Sequence, residues 1–127
     1  MLSWANESEG RYIIEDDYDS EFRVGGRPIP TLFSIDGCEK VIYMNTFSKS
    51  LAPTIRISYM VLPVHLANRF YETLSFYACT VSNFEQYILA QFIKQGHFEK
   101  HINRMRLFYG RKRARVLEII KNTFTAG

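Results

Sequence analysis

Cysteine is scarce in this sequence. The two present in 127 residues, Cys38 and Cys79, stand far apart with no Cys-x-x-Cys spacing. That argues against a disulfide scaffold and points to a reduced, cytoplasmic setting. Metal ligands are equally sparse. His65, His97 and His101 are scattered; His97 and His101 are one helical turn apart, but Glu99 between them does not make a zincin pattern, so solvated histidines are expected. Long hydrophobic runs are missing as well. The longest apolar stretch, Tyr59 to Val64, contains Pro63 and falls far short of the roughly 20 residues that span a bilayer. Met1 to Gly10 has no basic segment followed by an apolar one, so no secretory leader is expected. Internal repeats and low-complexity tracts are absent.

What is present is the composition of a soluble globular protein: 46% hydrophobic, 15% aromatic and 23% charged, with a length of one domain at most. The net charge of +3 is too mild to imply nucleic acid or a membrane by itself. Its distribution is uneven. Residues 1–63 hold nine acids and six bases, whereas residues 64–127 hold four acids and ten bases.

Residues 2–8 read as the last turns of a helix closed by Gly10, glycine supplying a left-handed cap without a Cβ clash. Hydrophobic runs then mark strands near 11–16, 41–45 and 57–62, the first ending in the carboxylate cluster Glu15-Asp16-Asp17. A buried strand that ends in carboxylates resembles the ligand-binding edge of a parallel sheet. Residues 19–40, with Gly25-Gly26, Pro28, Pro30, Asp36 and Gly37, read as a long loop of the kind that carries function. The second half is helical. Leu66, Phe70 and Leu74 share a face; Ile88, Leu89, Phe92 and Ile93 make a second amphipathic helix that Gly96 stops. From His97 to about Asn122, Phe98, Ile102, Met105, Tyr109, Val116 and Ile119 advance by threes and fours, which predicts one long helix with Phe108 and Tyr109 turned inward.

Three constellations could carry chemistry. Lys49 follows a strand, has hydroxyls around it at Thr46, Ser48 and Ser50, and is followed by Arg56. A lysine that forms a Schiff base must be held where its amine can lose a proton, and burial with a nearby cation favours that. Hydroxyls plus an arginine also suit a phosphate group. The second constellation is Asp16 with Tyr18. In an extended chain the two share a face while Asp17 points the other way. A carboxylate there could keep a pyridine nitrogen protonated, and the phenol could donate to a ring oxygen. The third is the basic run Lys100, Arg104, Arg106, Arg111, Lys112, Arg113 and Arg115. These charges go round the helix and do not form the single stripe expected for tracking phosphates.

The stretches Glu-Asp-Asp-Tyr-Asp-Ser-Glu-Phe-Arg (15–23) and Thr-Phe-Ser-Lys-Ser-Leu-Ala-Pro-Thr-Ile-Arg (46–56), with Gly26-x-Pro-x-Pro between them, resemble the aminotransferase-like domain of MocR-type transcription regulators. These are GntR-family proteins that join a winged helix-turn-helix to a fold-type I pyridoxal-phosphate domain. The resemblance covers essentially the whole chain. It implies an α/β fold, part of a three-layer large domain with a mostly parallel sheet, followed by helices. It implies Lys49 as the Schiff-base lysine, Asp16 on the pyridine nitrogen, Tyr18 on the phenolate oxygen, and Arg56, Thr46 and Ser48 on the phosphate of pyridoxal 5'-phosphate. Asn45 stands where the family has glycine, a minor change by this reading.

The resemblance further implies that residues 1–127 are a piece of the large domain, without the winged helix-turn-helix, the first half of that domain or the C-terminal small domain. In such a regulator the effector is an amino acid or amine, DNA is reached only through the winged helix-turn-helix, no membrane is involved, and the whole protein is a homodimer. Isolated residues 1–127 are then expected to lack transaminase activity. Two other classes remain open at this level: a piece of a genuine class I/II aminotransferase, and a binding module working through the basic helix.

Overall fold

The computed structural model of the chain describes residues 1–18, 20–22 and 29–124. Its order is α1 (Leu2–Asn6), β1 (Ile13–Asp16), a 3-10 turn (Ser20–Phe22), α2 (Leu32–Ile35), β2 (Val41–Thr46), α3 (Phe47–Ser50), β3 (Ser58–Val61), α4 (Val64–Leu74), α5 (Asn83–Lys94) and α6 (His97–Phe124). The fold is α/β, as the resemblance implied. Of the long loop, Gly25, Gly26 and Pro28 lie outside the described residues, as do Asp19 and Arg23 of the first motif.

The strands form one sheet in the order β1-β2-β3. β1 runs parallel to β2, with Ile13 opposite Val41 and Asp16 opposite Met44. β3 runs antiparallel to β2, with Tyr43 opposite Val61 and Thr46 opposite Ser58. The sheet is mixed: the β1–β2 pair is parallel, in keeping with the mostly parallel sheet that the resemblance implied, and β3 is its antiparallel member. Chain length explains the direction of β3. A parallel return needs a crossover of about a dozen residues or more, usually a helix. The link from Thr46 to Ser58 is shorter and holds a single helical turn, so the chain doubles back.

A tight turn sets where β2 starts. The Asp36 carboxylate accepts backbone N–H bonds from Cys38 (3.0 Å), Lys40 (2.6 Å) and Val41 (2.7 Å). Glu39 within this turn takes a left-handed conformation, φ 54°. Beside it, Tyr12 Oη meets His65 Nε2 at 2.7 Å and His65 Nδ1 meets Glu39 at 3.3 Å, joining the start of α4 to the start of the sheet. At the other end of the chain Gly96, φ 73°, separates α5 from α6 as the stop signal required. Gly10 does not play that role for α1: the helix ends at Asn6 with Glu7 still right-handed, and Gly10 has no positive φ.

Burial departs most from the sequence pattern. Among the described residues the buried apolar side chains are Ala5, Val41, Ile57, Leu89 and Ile102. β3 is exposed along its length, and Ile14 of β1 is 67% exposed, so neither is the buried strand that its hydrophobic run suggested. α6 packs on α5 and the 3-10 turn through its first half. There Ile102 is buried and Tyr109 meets Phe22 edge-on, ring centres 5.7 Å apart. Neither Phe108 nor Tyr109 is turned fully inward: both are about half exposed, and the Lys112 ammonium lies 4.6 Å from the Phe108 ring centre. Val116 and Ile119 project into solvent, because nothing described packs against the second half of this helix of about 42 Å. The accessible surface is 10,229 Å², against about 7,000 Å² for a compact monomer of this mass.

The Asp36 turn yields a pH prediction. Desolvation pushes this carboxyl up, but the three backbone hydrogen bonds and the Lys40 charge outweigh it and hold it below its ordinary 3.8. A carboxyl lowered in the folded state contributes stability above its unfolded pKa, and that contribution is lost as pH falls through the folded one. Thermal midpoints measured from about pH 5 down to about pH 2 should fall more steeply for the natural chain than for Asp36→Asn. Parallel curves would contradict the role given to Asp36.

Candidate functional site

Three successive carboxylates leave β1 for three destinations. Glu15 accepts the Leu32 and Phe33 N–H groups at 2.8 and 2.9 Å and so caps α2. Asp17 turns to the same side and accepts hydrogen bonds from Tyr43 Oη at 2.7 Å and Ser20 Oγ at 2.8 Å. Asp16 takes the opposite face, and Tyr18 joins it there, as strand alternation requires.

The lysine turn is assembled next to them. Thr46, the last residue of β2, caps α3 by accepting the Ser48 N–H at 3.2 Å. The segment then folds back on itself. Phe47 N–H donates to Ile57 O at 2.9 Å, Ile55 N–H to Ala52 O at 2.9 Å, and Ser48 Oγ to Ile55 O at 2.6 Å. Lys49 is thus carried on a short closed loop and not on a free chain, and Arg56 returns to the same place.

All six residues singled out in the sequence line one open cleft of about 370 Å³: Asp16, Tyr18, Thr46, Ser48, Lys49 and Arg56, together with Met44, Asn45 and Ser58. Lys49 Nζ lies 5.4 Å from the centre of the Tyr18 ring, within range of a cation–π attraction. Asp16, Tyr18, Lys49 and Arg56 are exposed, so their charges act through water and not through a dry interior. The cleft therefore offers one carboxylate, one phenol, one amine and one guanidinium to a common volume. That set suits a ring with a basic nitrogen, a hydroxyl and an anionic tail.

The two hydroxyls fit the anionic tail less well. Ser48 spends its single proton on Ile55 O, and Thr46 Oγ1 gives its own to Ile57 O at 3.3 Å. A hydroxyl has one proton to donate. Arg56 is left as the strongest anion partner lining the cleft.

One of the lining residues, Asn45, has a weight that its place in the sequence did not show. Asn45 is 6% exposed. Its amide nitrogen donates to Tyr43 Oη at 3.1 Å and to Glu21 Oε1 at 3.3 Å, and its oxygen accepts the Thr46 N–H at 2.6 Å. Asn45 is therefore not a minor residue here. The available signal was alternation: Asn45 falls on the same side of β2 as the buried Val41. Burial pushes the Tyr43 phenol well above its usual range; Asn45's hydrogen bond works against the rise and Asp17 adds to it. Burial likewise raises Tyr59. Among the described residues no group of three His, Cys, Asp or Glu side chains is placed to hold a metal ion, and no helix is long and apolar enough to cross a membrane.

No family model matches the chain. It is 54% identical over 121 residues to YdeL, an uncharacterised HTH-type transcriptional regulator of Bacillus subtilis; the match takes in 95% of the chain and 26% of the relative. It is 42% identical over 106 residues to MocR of Rhizobium meliloti, a probable rhizopine catabolism regulatory protein, over 84% of the chain and 22% of the relative. Among solved structures it superposes on Pyrococcus horikoshii kynurenine aminotransferase in complex with PMP, with TM-score 0.79 and 34% identity, over 94% of the chain and 30% of that protein. The chain spans about a quarter of the length of the curated relatives it matches.

The hydroxyl geometry separates two substitutions. Ser48→Ala should lower stability by about 1 kcal/mol while changing inorganic phosphate affinity by less than about threefold. Arg56→Ala should weaken phosphate binding about tenfold or more with little loss of stability. Calorimetric titration with thermal unfolding of both variants checks this, and a phosphate loss in Ser48→Ala equal to that in Arg56→Ala would refute it.

Proposed function

We propose that this chain, whose homologues are MocR-type regulators of the GntR class and whose structural neighbours are aminotransferases, belongs to the pyridoxal-phosphate-binding effector domain of such a regulator. The observation that carries the reading is the single cleft that gathers Asp16, Tyr18, Lys49 and Arg56 from two separate sequence motifs.

Each side chain has a role in that reading. Lys49 brings the amine that holds the cofactor covalently. Asp16 pairs with the pyridine nitrogen and keeps it protonated. Tyr18 donates to the phenolate oxygen and, through its ring, holds the Lys49 ammonium close. Arg56 takes the phosphate, with Thr46 and Ser48 shaping the turn around it. When bound, pyridoxal phosphate supplies a carbonyl that amines condense with and a ring that withdraws electrons.

The effector is an amino acid or amine, and DNA is bound through a winged helix-turn-helix elsewhere in a dimeric regulator. Residues 1–127 are one part of the large domain in this reading. Two free, exposed cysteines fit a cytoplasmic setting. A genuine class I/II aminotransferase is the second reading. The solved neighbours favour it, whereas the higher identity to HTH-type regulators favours the first.

The cleft is open, so a bound ring keeps one face in water, and the charges around it lose the strength that a dry site gives them. Incubation with pyridoxal phosphate, borohydride reduction and peptide mapping should place the label on Lys49, with no amino-acid turnover by the 127-residue chain. Labelling that persists at the same level in Lys49→Ala would remove Lys49 from its role. Turnover would overturn the expected inactivity.

A further inference from the structure

The hydrogen bonds behind the cleft run in one direction only. Asp17 is acceptor-only as a carboxylate, so Tyr43 must give its one proton to it at 2.7 Å. The Tyr43 oxygen must then accept, which turns the Asn45 amide nitrogen toward it at 3.1 Å. That orientation sends the second Asn45 N–H to Glu21 Oε1 and leaves its oxygen facing the Thr46 N–H at 2.6 Å. Reversing the Asn45 amide would set its oxygen against the Tyr43 oxygen and its nitrogen against the Thr46 N–H.

Its two ends hold the two halves of the cleft. Asp17 lies between Asp16 and Tyr18, so fixing Asp17 on one side of β1 fixes those two on the other. Thr46 caps the turn that carries Lys49. Asn45 touches both ends, directly at Thr46 and through Tyr43 at Asp17. We propose that Asn45 is a positioning residue for the cleft, keeping Asp16 and Tyr18 in register with the Lys49 turn. The proposal rests on the reading of the cleft as a cofactor site and extends it to a residue whose carboxamide is engaged by Tyr43, Glu21 and the Thr46 N–H.

Removing the carboxamide takes one hydrogen-bond partner from each of three part-buried groups, the Thr46 N–H, the Tyr43 oxygen and the Glu21 carboxylate. The damage is then local, at the cleft end of the sheet. The far end is held independently, by Ile13 N–H donating to Lys40 O at 2.9 Å and by the Asp36 turn.

Amide hydrogen exchange on the 127-residue chain tests this in Asn45→Ala and in the milder Tyr43→Phe, which keeps the ring. In Asn45→Ala, exchange should accelerate about tenfold at Thr46 and at Asp17, whose N–H donates to Met44 O at 2.9 Å, and stay unchanged at Ile13. In Tyr43→Phe, Asp17 should respond and Thr46 should not. Equal acceleration across the sheet, or none at either residue, would overturn the proposal. Pyridoxal phosphate affinity, followed by its visible spectrum, should weaken about tenfold in both variants, the equivalent of one lost hydrogen bond's alignment. Unchanged affinity in both, with the natural chain binding, would also overturn it. If the natural chain itself does not bind pyridoxal phosphate, the cofactor reading fails, and the exchange pattern still decides the role of Asn45.

Discussion

The parallel pairing of Asp16 with Met44 is the contact on which the cleft depends. Asp16 and Lys49 are distant in sequence, and nothing local brings them together. The ladder between β1 and β2 does so, by setting the acid at the height where β2 ends and the lysine turn begins. Side chains alternate along a strand, so a slip of one residue would exchange faces. Asp17 would then enter the cleft and Asp16 would meet Tyr43. Register is therefore the quantity that this structure has to protect, and the polar groups beneath the sheet are arranged around it.

Those groups divide the acidic cluster among separate tasks. Glu15 closes a helix terminus, Asp17 anchors to Tyr43 and Ser20, and Asp16 is left for the cleft. Three adjacent negative charges would otherwise repel one another. Spreading them over two faces, with backbone N–H groups and hydroxyls as partners for two of them, removes most of that cost. The arrangement leaves one carboxylate lining the cleft.

The apolar surface tells a complementary story. β3 is bare, Val116 and Ile119 stand in solvent, and the area exposed exceeds that of a compact monomer. The open cleft has the same origin: its charges are in place but its walls are few, so water keeps the dielectric high.

Much was legible in the sequence. Hydrophobic runs located all three strands, spacing located the three long helices, and Gly96 marked a boundary, because these features depend on local sterics and on periodicity. Six of the nine residues lining the cleft were legible as well, since alternation placed Asp16 with Tyr18 and the motifs placed hydroxyls and Arg56 near Lys49. The direction of β3 was not, because strand polarity depends on what the connecting chain can span. The exposure of Ile14 and of the second half of α6 was not, because periodicity shows which face is apolar and not whether anything covers it. The committed protons of Thr46 and Ser48 and the weight of Asn45 appeared only in three dimensions, where a side chain meets partners that sequence distance hides. The sequence by itself determined the elements and the chemistry available to them; tertiary structure decided which of those groups face a ligand and which hold one another, because hydrogen-bond partners are set by the pairing register.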